Sequence, residues 1–438
     1  MNKPNVIVFF TDQQRWDTAG VHGNPLDLTP NFDRLALEGT HCFNAFTCQP
    51  VCAPARAVLQ TGKYAANTGV YRNGIILGDE HKTLAYYFKK SGYATGYIGK
   101  WHLYKGEPVP RNNQGEYDYW LAANALEHTS DPYHTVVYDR DGNKVFLPGY
   151  RVDALADAAI RYITDQKDNP FFLFLSFLEP HHQNHVDDYP PPKGYREKYT
   201  GRWVPGDLFA LKGSSPQHLG GYFGMVKRLD EALGRLLDIL QSLGKLDNTI
   251  ILYTTDHGNH FKTRNAEYKR SCHEASIRIP MAFSGPGFNG GGRVTDLVSL
   301  VDMPPTLLDA AGLPIPAEME GRSILDGRKD WPDDVFIQIS ESQVGRAVRT
   351  KRWKYGVTAP DCDGGRESKA QVYAEQYLYD LEYDPHEQTN LIGFASHKEV
   401  SRSLRSRLLK CLKKVEGEEP SIVEANEIPS GQRKVDSE

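Results

Sequence analysis

The stretch Gln49-Pro50-Val51-Cys52-Ala53-Pro54-Ala55-Arg56-Ala57-Val58-Leu59-Gln60-Thr61-Gly62 governs the reading of the whole chain. Pro54 suits the first turn of a helix, where its missing N–H would have no partner anyway. Gly62 suits the left-handed residue that closes one. The spacing therefore predicts a short helix with Cys52 just ahead of its N-terminus. Free amide donors and the positive end of the helix dipole favour an anion there, or a reactive group that must meet one. A lone cysteine is more often a small buried hydrophobe. Cys-x-Pro-x-Arg is a tighter pattern than that role requires.

Working outward, Val6-Ile7-Val8-Phe9-Phe10 is a continuous apolar run that predicts a central strand buried on both faces. It ends in Thr11-Asp12-Gln13-Gln14. The same texture recurs at Tyr93 to Ile98, which leads to Gly99-Lys100-Trp101-His102. Pro170 to Leu178 empties into Glu179-Pro180-His181-His182, and Thr249 to Thr255 into Asp256-His257-Gly258. Polar residues at the C-terminal edge of buried strands are where open α/β sheets place their ligands.

Between these runs, Thr29–Ala36, Thr83–Ser91, Arg151–Gln166 and Pro216–Leu243 carry helical spacing or caps. Residues 103–150, rich in Pro, Gly, Asn and Tyr, read as long loops over the active face. Beyond Leu325, Val335–Ser340, Ala347–Thr350, Trp353–Val357 and Gln376–Leu381 read as short strands, and Ser396–Glu416 as a basic amphipathic helix. The expected fold class is α/β. A large mixed sheet flanked by helices on both faces occupies residues 1–328. A smaller antiparallel sheet with one helix occupies 329–438 and completes the substrate pocket, with a frayed tail over 418–438.

The chain has 438 residues, enough for a large core, and 39% hydrophobic and 24% charged residues mark an ordinary globular protein. A formal net charge of −5 gives no field for nucleic acid or an anionic membrane, so neither is expected as a partner. The first apolar run is too short for a signal-peptide core or a membrane span. The six cysteines show no paired framework. Both point to reduced thiols and a cytoplasmic location.

Asp12, Asp256 and His257 all fall at strand exits. Carboxylates on parallel strand ends can converge on one hard divalent cation, with an imidazole nitrogen from His257 and an amide oxygen from Gln13. Alone, each would be a cap or turn former. Together they point to a metal site beside Cys52. His102 and His181 are the candidates for proton transfer, because imidazole titrates near working pH.

The run Cys52 to Gly62 closely resembles the signature of the type I sulfatases, members of the alkaline phosphatase-like superfamily. Asp12-Gln13, Gly99-Lys100-Trp101-His102, Asp256-His257-Gly258, Arg278-Ile279-Pro280, Asp302-Met303-Pro304-Pro305-Thr306 and Tyr379-Asp380-Leu381 follow in that family's order, so the resemblance covers most of the chain. It implies an alkaline phosphatase-like fold and a sulfuric ester hydrolase. It also implies that a formylglycine-generating maturation enzyme converts Cys52 to formylglycine, whose hydrated aldehyde is the nucleophile. Asp12, Gln13, Asp256 and His257 then look like the metal ligands, with modified Cys52 also reaching the ion. Many relatives carry a second aspartate where this chain has Gln13. That departure lowers the site's charge by one and leaves Ca2+ as first choice, with Mg2+ or Mn2+ as alternatives.

In the mechanism so implied, Arg56 steadies the diol while Lys100 and Lys269 balance charge on the transferring sulfuryl group. One hydroxyl attacks sulfur and His181, or its neighbour His182, protonates the departing sugar oxygen. His102 or a neighbour then takes the second hydroxyl's proton, expelling sulfate and restoring the aldehyde. A thiol adduct would have no second hydroxyl to expel it. The expected substrate is a small sulfated saccharide attacked at its end, of glycosaminoglycan type. His182 would be a further contact to it, and Arg346 would hold a uronic carboxylate with its planar fork. Tyr117, Trp120, Tyr133 and Trp203 suit stacking on sugar rings. The rival readings are a phosphonate or phosphodiester hydrolase of the same superfamily and a non-catalytic sulfated-glycan binder. The Gly99 to His102 run favours a sulfate ester.

Overall fold

Strand β1 (Asn5–Thr11) is apolar from Val6 to Phe10 because both of its faces are covered. Val6, Val8 and Phe10 pack with Ala53, Ala55, Ala57 and Leu59 of the Cys52–Thr61 helix, and with Leu307 and Leu308 of the Met303–Ala310 helix. Ile7 and Phe9 face the other way, onto the Arg151–Asp165 and Ser215–Ser242 helices through Leu155, Ala159, Leu233 and Leu236. The two-residue period of a strand thus sorts one run into two cores. The computed structural model describes residues 3–166, 169–327 and 330–428.

With β1, strands β2 (Thr40–Phe46), β3 (Ala94–Lys100), β4 (Tyr119–Ala123), β5 (Thr135–Asp139), β6 (Lys144–Leu147), β7 (Phe171–Ser176), β8 (Thr249–Thr255), β9 (Ala282–Ser284) and β10 (Gly292–Ser299) form one sheet. Its order is β10-β2-β9-β8-β1-β7-β3-β4-β5-β6. β1 runs parallel to β7 and β8, and β3 runs parallel to β7 and β4. The C-terminal ends of β8, β1, β7 and β3 therefore lie side by side. Antiparallel pairings of β9, β5 and β6 make the sheet mixed. The expected long loops over 103–150 are wrong at β4, β5 and β6. The last two form a hairpin around Asp141-Gly142, a turn dipeptide that does signal one.

The second sheet runs in simple order through β11 (Asp334–Ile339), β12 (Val344–Thr350), β13 (Trp353–Ala359), β14 (Val372–Asp380) and β15 (Ser421–Val423). It is antiparallel except where β15 joins β14. Leu404, Leu408, Leu412 and Val415 make the apolar stripe of the Lys398–Glu416 helix and cover one face of this sheet. The expected boundary at 328/329 lies outside the described residues, as do 429–438 of the tail. The rest of the tail is not frayed. Ser421–Val423 completes the sheet edge, and Ile428 exchanges backbone hydrogen bonds with Gly393 and Ala395 (2.7 and 2.9 Å). Among the described residues no helix is long and apolar enough to cross a membrane.

Arg346 requires a correction. It lies inside β12, on the same face as Val344 and Val348, and is 1% exposed beneath the Lys398–Glu416 helix. Its Nε donates to Glu416 Oε1 (2.6 Å) and its Nη2 to Glu416 Oε2 (3.2 Å), with Nη1 on the Gly345 carbonyl (2.7 Å) and Nη2 on that of Ser368 (2.5 Å). A guanidinium so engaged holds the helix to the sheet and is not available to a substrate carboxylate. Arg346→Ala strands Glu416 in the interior. It is expected to cost about 3–5 kcal/mol, the penalty for breaking a buried ion pair from one side, read as a lower denaturant midpoint.

Candidate active site

The helix starts at Cys52 itself, with extended Val51 (φ −143°, ψ 137°) before it and no side-chain cap. Pro54 is its third residue, still in the turn whose N–H groups have no helical acceptor. The Ala53 N–H is met instead by Asn73 Oδ1 (3.0 Å). Gly62, at φ 72°, ends the helix, and every residue between is buried.

Arg56 gathers three strand ends. Its Nη2 donates to Asp12 Oδ2 (2.8 Å), and its Nη1 donates to the Lys100 carbonyl (2.9 Å) and to Ser176 Oγ (2.7 Å). Lys100 Nζ also donates to Asp12 Oδ2 (2.9 Å), and to Glu127 Oε1 (3.0 Å). Gly99 makes this possible. At φ 108° a Cβ would stand 1.8 Å from the Ser176 carbonyl oxygen, so only glycine lets the end of β3 approach β7. Burial and the neighbouring Cys52 charge act to raise the Asp12 pKa, but Lys100 with Arg56 outweighs them and holds it below the carboxylate range.

Four side chains around this point each keep one atom in hand. Asp12 has spent Oδ2 on the two cations. Its Oδ1 lies 3.7 Å from Cys52 Sγ and 3.9 Å from His257 Nε2. Asp256 Oδ1 accepts the backbone N–H groups of Gln13 and His257 (both 2.9 Å), while its buried Oδ2 has no hydrogen-bond partner. His257 Nδ1 donates to the Gly258 carbonyl (2.9 Å), which leaves Nε2 as the free lone pair, 3.4 Å from Cys52 Sγ. Gln13 Oε1 is buried and unpartnered, on a residue held at φ 67°. Donor atoms of Asp12, Cys52, Asp256 and His257 all lie within 4.8 Å of one another. Burial, then the charge of Asp12, pushes Asp256 up to about 7. Two buried carboxylates with orphaned oxygens are what a hard divalent ion relieves, so the residues fit one.

On the other side of Cys52, Lys269 Nζ donates to Sγ (2.8 Å) and lies 3.1 Å from His181 Nε2. Burial by itself raises the Cys52 thiol. The charges of Lys269 and Lys100 outweigh that and hold it well below its ordinary value. The position is thus built for a negatively charged atom. His181 Nδ1 donates to the His182 carbonyl (2.6 Å), so Nε2 faces Lys269, and burial followed by the Lys269 charge lowers the His181 pKa. His182 is turned away from this pair. Its Nδ1 meets Asn184 Oδ1 (3.0 Å) and its Nε2 meets Asp187 Oδ1 (3.0 Å) and Tyr268 Oη (3.1 Å). His102, at φ 60°, has a buried Nδ1 without a partner. Left-handed backbone at Gln13 and His102 costs roughly 1–2 kcal/mol each, strain of the kind held at functional positions.

The chain therefore brings together Asp12, Gln13, Cys52, Arg56, Lys100, His102, His181, Asp256, His257 and Lys269, and it excludes Arg346. Glu127, Ser176 and Asn73 escaped the sequence reading. Glu127 sits in a four-residue helix after β4, inside a segment taken for loop. Tyr117 and Trp120, at 1% and 2% exposure, are core residues rather than sugar platforms.

Architecture and site place the chain among the alkaline phosphatase-like hydrolases. The sulfatase family model matches residues 4–313, and that of the N-sulphoglucosamine sulphohydrolase C-terminal region matches 266–414. The chain belongs to the sulfatase family. An ulvan-active sulfatase of Formosa agariphila is 30% identical over 439 residues, covering 94% of this chain and 81% of that protein. The N-acetylglucosamine-6-O-sulfatase of Bacteroides thetaiotaomicron is 25% identical over 505 residues, covering 95% and 88%. A solved structure of a protein in complex with its substrate D-glucosamine-2-N,6-O-disulfate superposes with a TM-score of 0.78 at 25% identity, over 96% of this chain and 99% of that one.

The metal site makes a joint prediction. Asp256→Asn should lose bound ion, by elemental analysis, together with sulfate release. Gln13→Asp adds one charge and should shift the preferred ion while the site survives. Activity unchanged by both Asp256→Asn and chelation would remove the metal from these residues.

Proposed function

We propose that this sulfatase removes sulfate from the end of a small sulfated saccharide of glycosaminoglycan type, using a formylglycine made from Cys52. The observation that carries the reading is the placement of Cys52 Sγ between Lys269 Nζ at 2.8 Å and the unspent donors of Asp12 and His257. Hydrated formylglycine would supply one hydroxyl to attack sulfur and a second whose ionisation releases sulfate. Asp12, Gln13, Asp256 and His257 would hold the divalent ion, for which Ca2+ is proposed ahead of Mg2+ or Mn2+. When bound, that ion polarises sulfate oxygens and favours the ionised diol.

The remaining work belongs to the chain's own groups. An ammonium has three donors. Lys100 has spent two, on Asp12 and Glu127, and keeps the third for a sulfate oxygen. Lys269 and His181 act as a pair. His181 Nε2, when protonated, gives its proton to the departing sugar oxygen, while Lys269 keeps its charge beside the sulfuryl group. The lowered pKa of His181 makes its protonated form the stronger acid. His102, beside Cys52, takes the proton of the second hydroxyl. Support for a saccharide comes from the relatives, which include an N-acetylglucosamine-6-O-sulfatase and a neighbour holding a glucosamine disulfate.

Two measurements test this. Peptide mass spectrometry of protein co-expressed with a maturation enzyme should find formylglycine at residue 52, and Cys52→Ala should stay folded while releasing no sulfate. Active protein carrying only unmodified Cys52 would overturn the nucleophile. Defined sulfated glucosamines and disaccharides, assayed beside a phosphonate monoester, should release sulfate and leave the phosphonate intact.

A further inference from the structure

His181 and Lys269 come from different loops, one after β7 and one after β8, yet their reacting nitrogens are 3.1 Å apart. Each has a chain neighbour that looks away from the nucleophile, and those two neighbours touch. The rings of His182 and Tyr268 stack at 4.4 Å between centroids with 30° between planes. Tyr268 Oη lies 3.1 Å from His182 Nε2. Asp187 Oδ1 meets both, at 3.0 Å from His182 Nε2 and 3.2 Å from Tyr268 Oη. The cross-link reaches the acid pair by one peptide on each side. On one side the His182 carbonyl accepts the His181 Nδ1 proton at 2.6 Å. On the other, Lys269 follows Tyr268 directly, and its carbonyl is held by His260 Nε2 (3.0 Å).

We propose that Asp187, His182 and Tyr268 form a clamp that positions the proton-donating pair His181–Lys269 against the leaving group. The three are positioning residues, because their polar atoms are spent on one another. The inference rests on the leaving-group role proposed above for His181. A loosened clamp lets the two loops drift apart, so proton delivery suffers first, and only esters whose alcohol needs a proton to depart should register it.

The test compares phenyl sulfate, a poor leaving group, with 4-nitrophenyl sulfate, whose phenolate leaves without help. Tyr268→Phe keeps the ring stack and loses both hydrogen bonds. Asp187→Gly removes the shared acceptor from an exposed carboxylate (68%), at a left-handed position (φ 47°) that glycine adopts without strain. Both should lose about tenfold in kcat/KM on phenyl sulfate, as a displaced catalytic group does, with less than about a twofold loss on 4-nitrophenyl sulfate and an unchanged Tm. His181→Ala serves as the reference. It should show the same selectivity with a loss of about 100-fold or more. A selective loss in His181→Ala with equal losses, or none, in the clamp variants would overturn the clamp alone. Absence of selectivity in His181→Ala would overturn the leaving-group assignment beneath it.

Discussion

Asp12 sits at the end of the central strand with no exposure, and a bare carboxylate there would be far too costly to keep. The site is arranged around that constraint. One oxygen takes Arg56 and Lys100, and the other faces Cys52 and His257. Arg56 and Lys100 in turn bring the ends of β3 and β7 to β1, and Lys100 draws in Glu127. The same network leaves the facing carboxylate, Asp256, without a counterion among the side chains that touch it closely. Its nearest guanidinium contact, Arg56 at 3.8 Å, is too long for a hydrogen bond. The demand for a cation and the supply of fixed positive charge are thus set by one residue.

The second sheet reaches this network by an unexpected route. Ser340 Oγ accepts from Gln49 Nε2 (2.8 Å), and Glu341 accepts the Asn73 N–H (2.6 Å) and pairs with Arg270. Asn73 is the residue that meets the Ala53 amide in the first turn of the Cys52 helix, and Arg270 follows Lys269. The polar run after β11 therefore steadies the segments flanking the nucleophile, while Arg346, the third residue of the strand that follows, serves the helix packing.

Much of this was readable from residue pattern. The uninterrupted apolar runs of β1, β7 and β8 identify strands covered on both faces, and their polar exits name Asp12, His181, Asp256 and His257 directly. Short strands were lost because four or five residues carry too little period to outweigh Pro and Gly nearby, as at β4 to β6. Arg346 was misread for a related reason. The polar density of Ser340 to Arg346 looks like a surface turn, and nothing local says that β12 begins at Val344 and turns position 346 toward Glu416, seventy residues on. The His182 ring was ambiguous in sequence because adjacent histidines are interchangeable until a backbone direction separates them.

Burial of the Cys52 helix has a consequence in time. Its residue 52 is 1% exposed, and its partners His257 and Lys269 lie 205 and 217 residues further along the chain. On the proposed chemistry, an enzyme that rebuilds this side chain cannot reach it once those partners are home. During synthesis the nucleophile segment waits roughly 10–40 s for them, at ribosomal rates of about 5–20 residues per second. Maturation and folding are then rivals in rate, and any chain that closes early is sealed with its thiol inside.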